Sequence, residues 1–211
     1  MRQSGRQAYG CLEWNLRFSF IVVSLLALSA CQRGEPLPSF TAVPPFALTA
    51  QDGRQVTRDD YAGRVWIADF IFTNCPGPCP MLTSHMRDVQ DLLQERSLDV
   101  PLVSFSVDPE TDTPEALTRY GETFGADFSR WTFLTGDKQE IYDLILRGFL
   151  LAVSDGAVSA DNSAGAGVIT HSTRFALIDQ QGDVRGYYHG EEPAVAKEIV
   201  AGVERLIAER R

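Results

Sequence analysis

The chain has 211 residues, of which 44% are hydrophobic and 22% charged, and its formal net charge is -9. That length fits one globular domain plus an export segment, and the composition fits an ordinary packed core. An acidic chain with no basic face excludes a nucleic-acid binder.

Residues 1–30 differ from the rest. Arg2, Arg6 and Arg17 precede an apolar run of about thirteen residues from Phe18 to Ala30, too short to span a bilayer comfortably. The run ends in Leu28-Ser29-Ala30-Cys31. A basic start, a short apolar stretch and small residues at a cleavage site describe a secretory signal peptide. The cysteine straight after it resembles a bacterial lipobox, with Cys31 lipidated as the mature N-terminus and membrane anchor. An uncleaved N-terminal helix is the alternative, and either reading puts the domain across the membrane, in the bacterial periplasm. Without its three arginines and one glutamate, the remainder holds 16 basic and 27 acidic residues, a net of -11.

Residues 31–45 carry Pro36, Pro38, Pro44 and Pro45 and predict a semi-extended tether. The domain is expected from 46 to 211, with Phe46–Leu48, a turn at Asp52-Gly53 and a return near Val56 forming an N-terminal β-hairpin. Val65–Phe72 is strongly apolar, broken only by Asp69, and predicts a central strand covered on both faces. Pro80 sits where a helix begins, and Met86, Val89, Leu92 and Leu93 follow at helical spacing. Leu98–Val107 reads as a second central strand, and Asp112 or Thr113 caps a helix over Pro114–Phe124. A strand over Trp131–Leu134, a helix over Lys138–Arg147 and a mobile Gly/Ala/Ser/Asp loop over 155–167 come next. Phe175–Ile178 and Val184–Tyr188 flank the turn Asp179-Gln180-Gln181-Gly182, and Glu192–Arg211 is a terminal helix. Strands alternating with helices imply an α/β fold, a mixed central sheet flanked by helices. A cysteine pair at the exit of the first long strand is where a thioredoxin-like fold keeps its thiols.

Of four cysteines, Cys11 lies in the leader and Cys31 at the lipid site, which leaves Cys75 and Cys79. A lone close pair in an exported protein reads as redox-active or metal-binding, because so short a loop removes little unfolded-state entropy as a staple. Pro76, Gly77 and Pro78 oppose helix within the loop, so Cys79 stands at the helix entrance. Free N–H groups and the helix dipole there predict Cys79 as the thiol of lower pKa. Thioredoxin-type oxidoreductases have two residues between their cysteines; three here permit a disulfide or a wider bite on a metal. Such oxidoreductases also keep a cis-proline before the strand entering the last hairpin, and this chain has His171 in that neighbourhood instead. Two thiolates and one imidazole make a soft three-ligand site that suits Cu(I) and can hold Cu(II), with zinc the chemical alternative.

Thr73-x-Cys75-Pro76-x-x-Cys79-Pro80, Ser106-Val107-Asp108-Pro109-Glu110-x-Asp112-Thr113-Pro114, and His171-Ser172 followed by Asp179-x-x-Gly182 resemble the SCO/SenC family over roughly residues 40–210. The resemblance implies a thioredoxin-like fold and copper, Cu(I) or Cu(II), held by Cys75, Cys79 and His171. It also implies delivery to, or maturation of, the dinuclear copper centre of cytochrome c oxidase subunit II or another copper protein. A monomer is expected, and a metal carrier more than an enzyme. Thiol–disulfide exchange on a partner's cysteines is the alternative function, and copper or redox sensing a third. Gly77-Pro78 stand where many members have Asp-x, and Thr170 where many have Asp.

Other residues are ambiguous. Asp108 reads as a turn residue or a site neighbour, and Asp69 as a structural acceptor or a proton relay near the thiols. Met81 reads as ordinary packing or a weak copper contact. His85 and His189 point elsewhere, while Arg174 and Tyr187 are candidates for a partner-facing surface.

Overall fold

The computed structural model describes residues 35–154 and 170–209. The expected leader with Cys11, the lipid site Cys31 and the 155–167 loop lie outside the described residues. Among the described residues no helix is long and apolar enough to cross a membrane.

The strands are β1 (Thr41–Ala42), β2 (Ala47–Ala50), β3 (Gln55–Thr57), β4 (Trp66–Ile71), β5 (Leu102–Ser106), β6 (Trp131–Thr135), β7 (Val153–Ser154), β8 (Thr170–His171), β9 (Arg174–Ile178) and β10 (Asp183–His189). The helices are α1 (Cys79–Glu95), α2 (Pro114–Thr123), α3 (Lys138–Asp143) and α4 (Val195–Glu209). Eight strands form one mixed sheet in the order β1-β10-β9-β4-β5-β6-β2-β3, while β7 and β8 make a separate two-stranded ribbon. The parallel pairs β4–β5 and β5–β6 sit at the centre, and β9 runs antiparallel against β4.

The apolar run reads out as expected. All six residues of β4 are buried, Trp66, Ala68 and Phe70 facing one core and Ile67 and Ile71 the other. Successive strand side chains point to opposite faces, so a strand covered on both sides is predominantly apolar, and Asp69 is the one polar side chain in β4. Helices α1 and α4 lay Leu82, Met86, Val89, Ile199 and Val203 on the Ile67 face, and Ile141 of α3 packs on the Trp66 face. Gly202 lets α4 approach the sheet closely, since a Cβ there would stand 2.0 Å from the Tyr188 hydroxyl. The predicted turns hold: Gly53 at φ 80° and Gly182 at φ 87° take left-handed conformations that side chains disfavour.

Three features differ from the reading of the sequence. The folded body reaches back into the expected tether: β1 pairs with β10, Val43 is fully buried, and Arg185 donates to the Pro38 carbonyl at 2.9 Å while pairing with Asp179 and Glu209. The helix expected over Lys138–Arg147 is α-helical only to Asp143, then widens into a π turn over Leu144–Gly148. The ribbon β7–β8 was not foreseen, because two-residue strands show no periodicity.

Phe149, just before the ribbon, packs its ring 5.0 Å from Phe70, 5.6 Å from Phe105 and 6.2 Å from Trp66. Truncating a buried aromatic loses transfer energy and leaves a cavity, so Phe149→Ala should destabilise the fold by about 3–5 kcal/mol in a denaturant titration.

Candidate metal centre

Two segments meet at the exit of β4. Phe72–Pro78 is the loop that follows the strand, and it turns immediately, with the Cys75 N–H donating to the Phe72 carbonyl at 3.3 Å. Cys79 is the first residue of α1 and Pro80 the second, where a proline has no intrahelical bond to lose. The Thr83 hydroxyl donates to the Cys79 carbonyl at 2.9 Å, and the Tyr120 hydroxyl lies 2.7 Å from Thr83 Oγ1. The second segment is the ribbon, in which Val153 pairs with His171 and the Ser172 N–H bonds the Ala152 carbonyl at 3.0 Å.

One ligand atom each from Cys75, Cys79 and His171 lie within 4.8 Å of one another. Among the described residues this is the group of histidine, cysteine and acidic side chains able to close on a metal ion. His171 Nε2 stands 3.2 Å from Cys79 Sγ, and its ring meets Phe72 edge-on at 5.6 Å. Nδ1 lies 3.0 Å from the Ser172 carbonyl, which only accepts, so Nδ1 carries the hydrogen. In a neutral imidazole that leaves the Nε2 lone pair aimed at the sulfurs, the arrangement a metal-binding histidine needs. Burial holds His171 below its ordinary pKa, against the Ser172 bond, and so favours this neutral form.

The thiols are unequal. Cys75 is half-buried and Cys79 has no exposed surface. Burial pushes the Cys79 thiol well up, the hydrogen bond with Cys75 adds to that by favouring the protonated form, and the Phe72 backbone opposes it. The lower pKa expected for Cys79 at the helix entrance is therefore corrected: desolvation in the core outweighs the dipole.

The remaining candidates separate. Asp69 lies on the same face of β4 as Ile67 and Ile71, is 1% exposed, and accepts from the Ser104 hydroxyl at 2.5 Å. The Trp131 indole donates to that hydroxyl at 2.9 Å, while Asp69 Oδ2 has no partner. Burial raises the Asp69 carboxyl to about 7, against the Ser104 bond. Asp108 takes the turn role, its carbonyl accepting from Thr111 and Asp112. Thr113 is the cap of α2, accepting from Ala116 at 3.3 Å, and Asp112 is instead fully buried. Met81 is 38% exposed. His85 bonds the Gly190 carbonyl through Nδ1, His189 is exposed, and neither joins the three-residue group. Arg174 is exposed, and the Tyr187 hydroxyl donates to the Phe149 carbonyl at 2.7 Å.

Known proteins are similar to this chain in sequence and fold. The SCO1/SenC family matches residues 35–208. The chain is 36% identical over 190 residues to the SCO1 protein homolog of Bacillus subtilis, covering 90% of this chain and 94% of that one. A solved SCO1/SenC family lipoprotein from Bacillus anthracis is 36% identical with a TM-score of 0.72, over 79% of this chain and 95% of that one. BsSco, described as having a disulfide switch and as a member of the Sco family of cytochrome c oxidase assembly proteins, is 34% identical with a TM-score of 0.68. The match covers 82% of this chain and 98% of that one. Bradyrhizobium japonicum ScoI, solved with copper bound, shares the fold at 24% identity and a TM-score of 0.64, over 79% of this chain and 99% of that one.

Two outcomes are expected of the reduced, metal-free protein. Iodoacetamide should alkylate the half-exposed Cys75 well before the enclosed Cys79, as peptide mass mapping over time would show. Faster labelling of Cys79 would contradict the burial account. Folded Asp69 stays protonated between about pH 4 and 7, where its unfolded form, with an ordinary value of 3.8, has lost the proton. The folded state then binds the extra proton, so stability falls as pH rises through that window. Asp69→Asn should remove this slope and raise the melting temperature relative to the original chain at pH 8 but not at pH 4. Parallel melting curves for the two proteins would contradict it.

Proposed function

The chain belongs to the SCO1/SenC family, and from that footing we propose that it is an extracytoplasmic copper chaperone. Its cargo is one copper ion held by Cys75 Sγ, Cys79 Sγ and His171 Nε2. The observation that carries this reading is the convergence of two sulfurs and a lone-pair-bearing imidazole nitrogen within 4.8 Å. Soft thiolates favour Cu(I), and the imidazole extends the set to Cu(II). His171 reaches the site already in the tautomer a metal requires. Cys79 and Cys75 must lose their protons to bind, so loading releases protons and strengthens as pH rises.

The recipient in this reading is the dinuclear copper centre of cytochrome c oxidase subunit II, supported by the description of BsSco as an oxidase assembly protein. The lipobox-like sequence ending at Cys31 supports a lipid anchor to the membrane at that residue, and so a periplasmic location. The similar Bacillus anthracis protein is called a lipoprotein. A second reading is thiol–disulfide exchange. The two free thiols adjoin, and a relative is described as having a disulfide switch. In that reading Cys75 and Cys79 give two electrons and two protons to a partner disulfide and close into their own.

One equivalent of Cu(II) or Cu(I) added to the reduced protein should bind stoichiometrically, Cu(II) giving a thiolate-to-copper absorption band. His171→Ala should weaken binding by about ten-fold or more, and Cys75→Ser/Cys79→Ser should abolish the band. Copper binding no tighter in the original protein than in the double-serine variant would refute the chaperone reading and leave disulfide exchange to be assayed on an oxidised subunit II peptide.

A further inference from the structure

Two of the three ligands are held by regular structure. Cys79 belongs to α1 and His171 to the ribbon, each with its own hydrogen bonds. Cys75 is different: it stands on a loop containing Pro76, Gly77 and Pro78, and something outside the loop must set its position.

Asp112 meets that need from another part of the chain. It has no exposed surface, and its carboxylate collects hydrogen bonds from both strand ends beneath the loop. Oδ1 accepts from the Thr73 hydroxyl at 2.6 Å and from the Thr73 N–H at 3.2 Å, and Oδ2 accepts from the Ser106 hydroxyl at 2.6 Å. The Thr73 N–H also lies 3.3 Å from Oδ2. The Asp112 backbone is fixed as well, its N–H donating to the Asp108 carbonyl at 2.9 Å. Two donors from one residue onto one carboxylate fix both the Thr73 rotamer and the peptide plane that precedes it. Thr73 is the second residue of the turn that the Cys75 N–H closes onto the Phe72 carbonyl, so the anchored position lies two residues from the sulfur's own backbone. A buried carboxylate is costly unless its oxygens are satisfied, and here the groups satisfying it belong to the exit of β4 and the end of β5.

We propose that Asp112 is a positioning residue for the metal centre: by clamping Thr73 to the end of β5 it sets where Cys75 Sγ stands relative to Cys79 and His171. The role rests on the copper reading above, and it assigns Asp112 no contact with the metal.

The test uses the full-length, detergent-solubilised, reduced protein and four variants. Asp112→Asn presents an amide N–H₂ to at least one donor, and Thr73→Val removes the hydroxyl arm. Thr73→Ser restores that arm, while Ser106→Ala cuts the tie to β5 and leaves the Thr73 pair. Each is loaded with one equivalent of Cu(II). The thiolate-to-copper band, the rate of copper loss to a chelator and the melting temperature are recorded. Asp112→Asn and Thr73→Val should shift or weaken the band and release copper about ten-fold or more faster, as loss of outer-shell support does elsewhere. Thr73→Ser should match the original protein in both, and Ser106→Ala should lower the melting temperature with a smaller change in the band than Thr73→Val. An original band and release rate in both Asp112→Asn and Thr73→Val, with only the melting temperature moved, would overturn the proposal. If Asp112→Asn does not fold, the contrast of Thr73→Val with Thr73→Ser decides. If the original protein forms no band, the copper reading fails by itself. The clamp is then decided by the alkylation rate of Cys75, which Thr73→Val must change and Thr73→Ser must not.

Discussion

The antiparallel pairing of β4 with β9 is the constraint on which the site depends. Trp66 opposes Ile178 and Ala68 opposes Ala176, so the end of β4 and the start of β9 fall at the same edge of the sheet. The cysteine loop leaves that edge after Ile71, and His171 enters it three residues before Arg174. A contact between residues 92 positions apart, Cys79 and His171, thus follows from two central strands lying side by side. The apolarity of β4 makes that pairing strong: a strand buried on both faces has no solvent side to slip towards, and a shift of one residue would exchange its two core faces.

Placing chemistry on such a strand brings polar groups into the core, and the protein handles each differently. Cys79 accepts the cost of enclosure as a thiol that ionises reluctantly, which a metal reverses by displacing the proton. His171 is kept neutral by burial and oriented by one backbone carbonyl. Asp112 is surrounded by hydroxyl and amide donors. Asp69 is the least compensated, with one oxygen bonded to Ser104 and the other unpartnered, and burial raises its carboxyl to about 7. Asp112 and Asp69 do not belong to the ligand set.

Much of this was legible in the sequence, for identifiable reasons. The strongly apolar run from Val65 to Phe72 announced β4, the spacing of Met86, Val89 and Leu93 announced α1, and Asp179 to Gly182 announced the β9–β10 turn. His171 was legible through the chemistry of the cysteine pair and the lack of a proline where an oxidoreductase keeps one. The ribbon that carries His171 was not, because strands of two residues leave no pattern. Prolines made residues 37–43 look like free tether, although Arg185, 142 residues after Val43, helps dock that segment. Asp112 and Thr113 are both good helix caps, and only the tertiary fold turns Thr113 to the helix and Asp112 to the loop. The acidity of Cys79 was misjudged because helix position is visible in a sequence and desolvation is not.

The most direct test of the account is X-ray absorption at the copper edge on the singly loaded, reduced protein, compared with His171→Ala. A first shell of two sulfurs and one imidazole nitrogen, with the imidazole signature lost in the variant, is the predicted result. A shell built from oxygen and nitrogen alone, or one unchanged by removing His171, would contradict it.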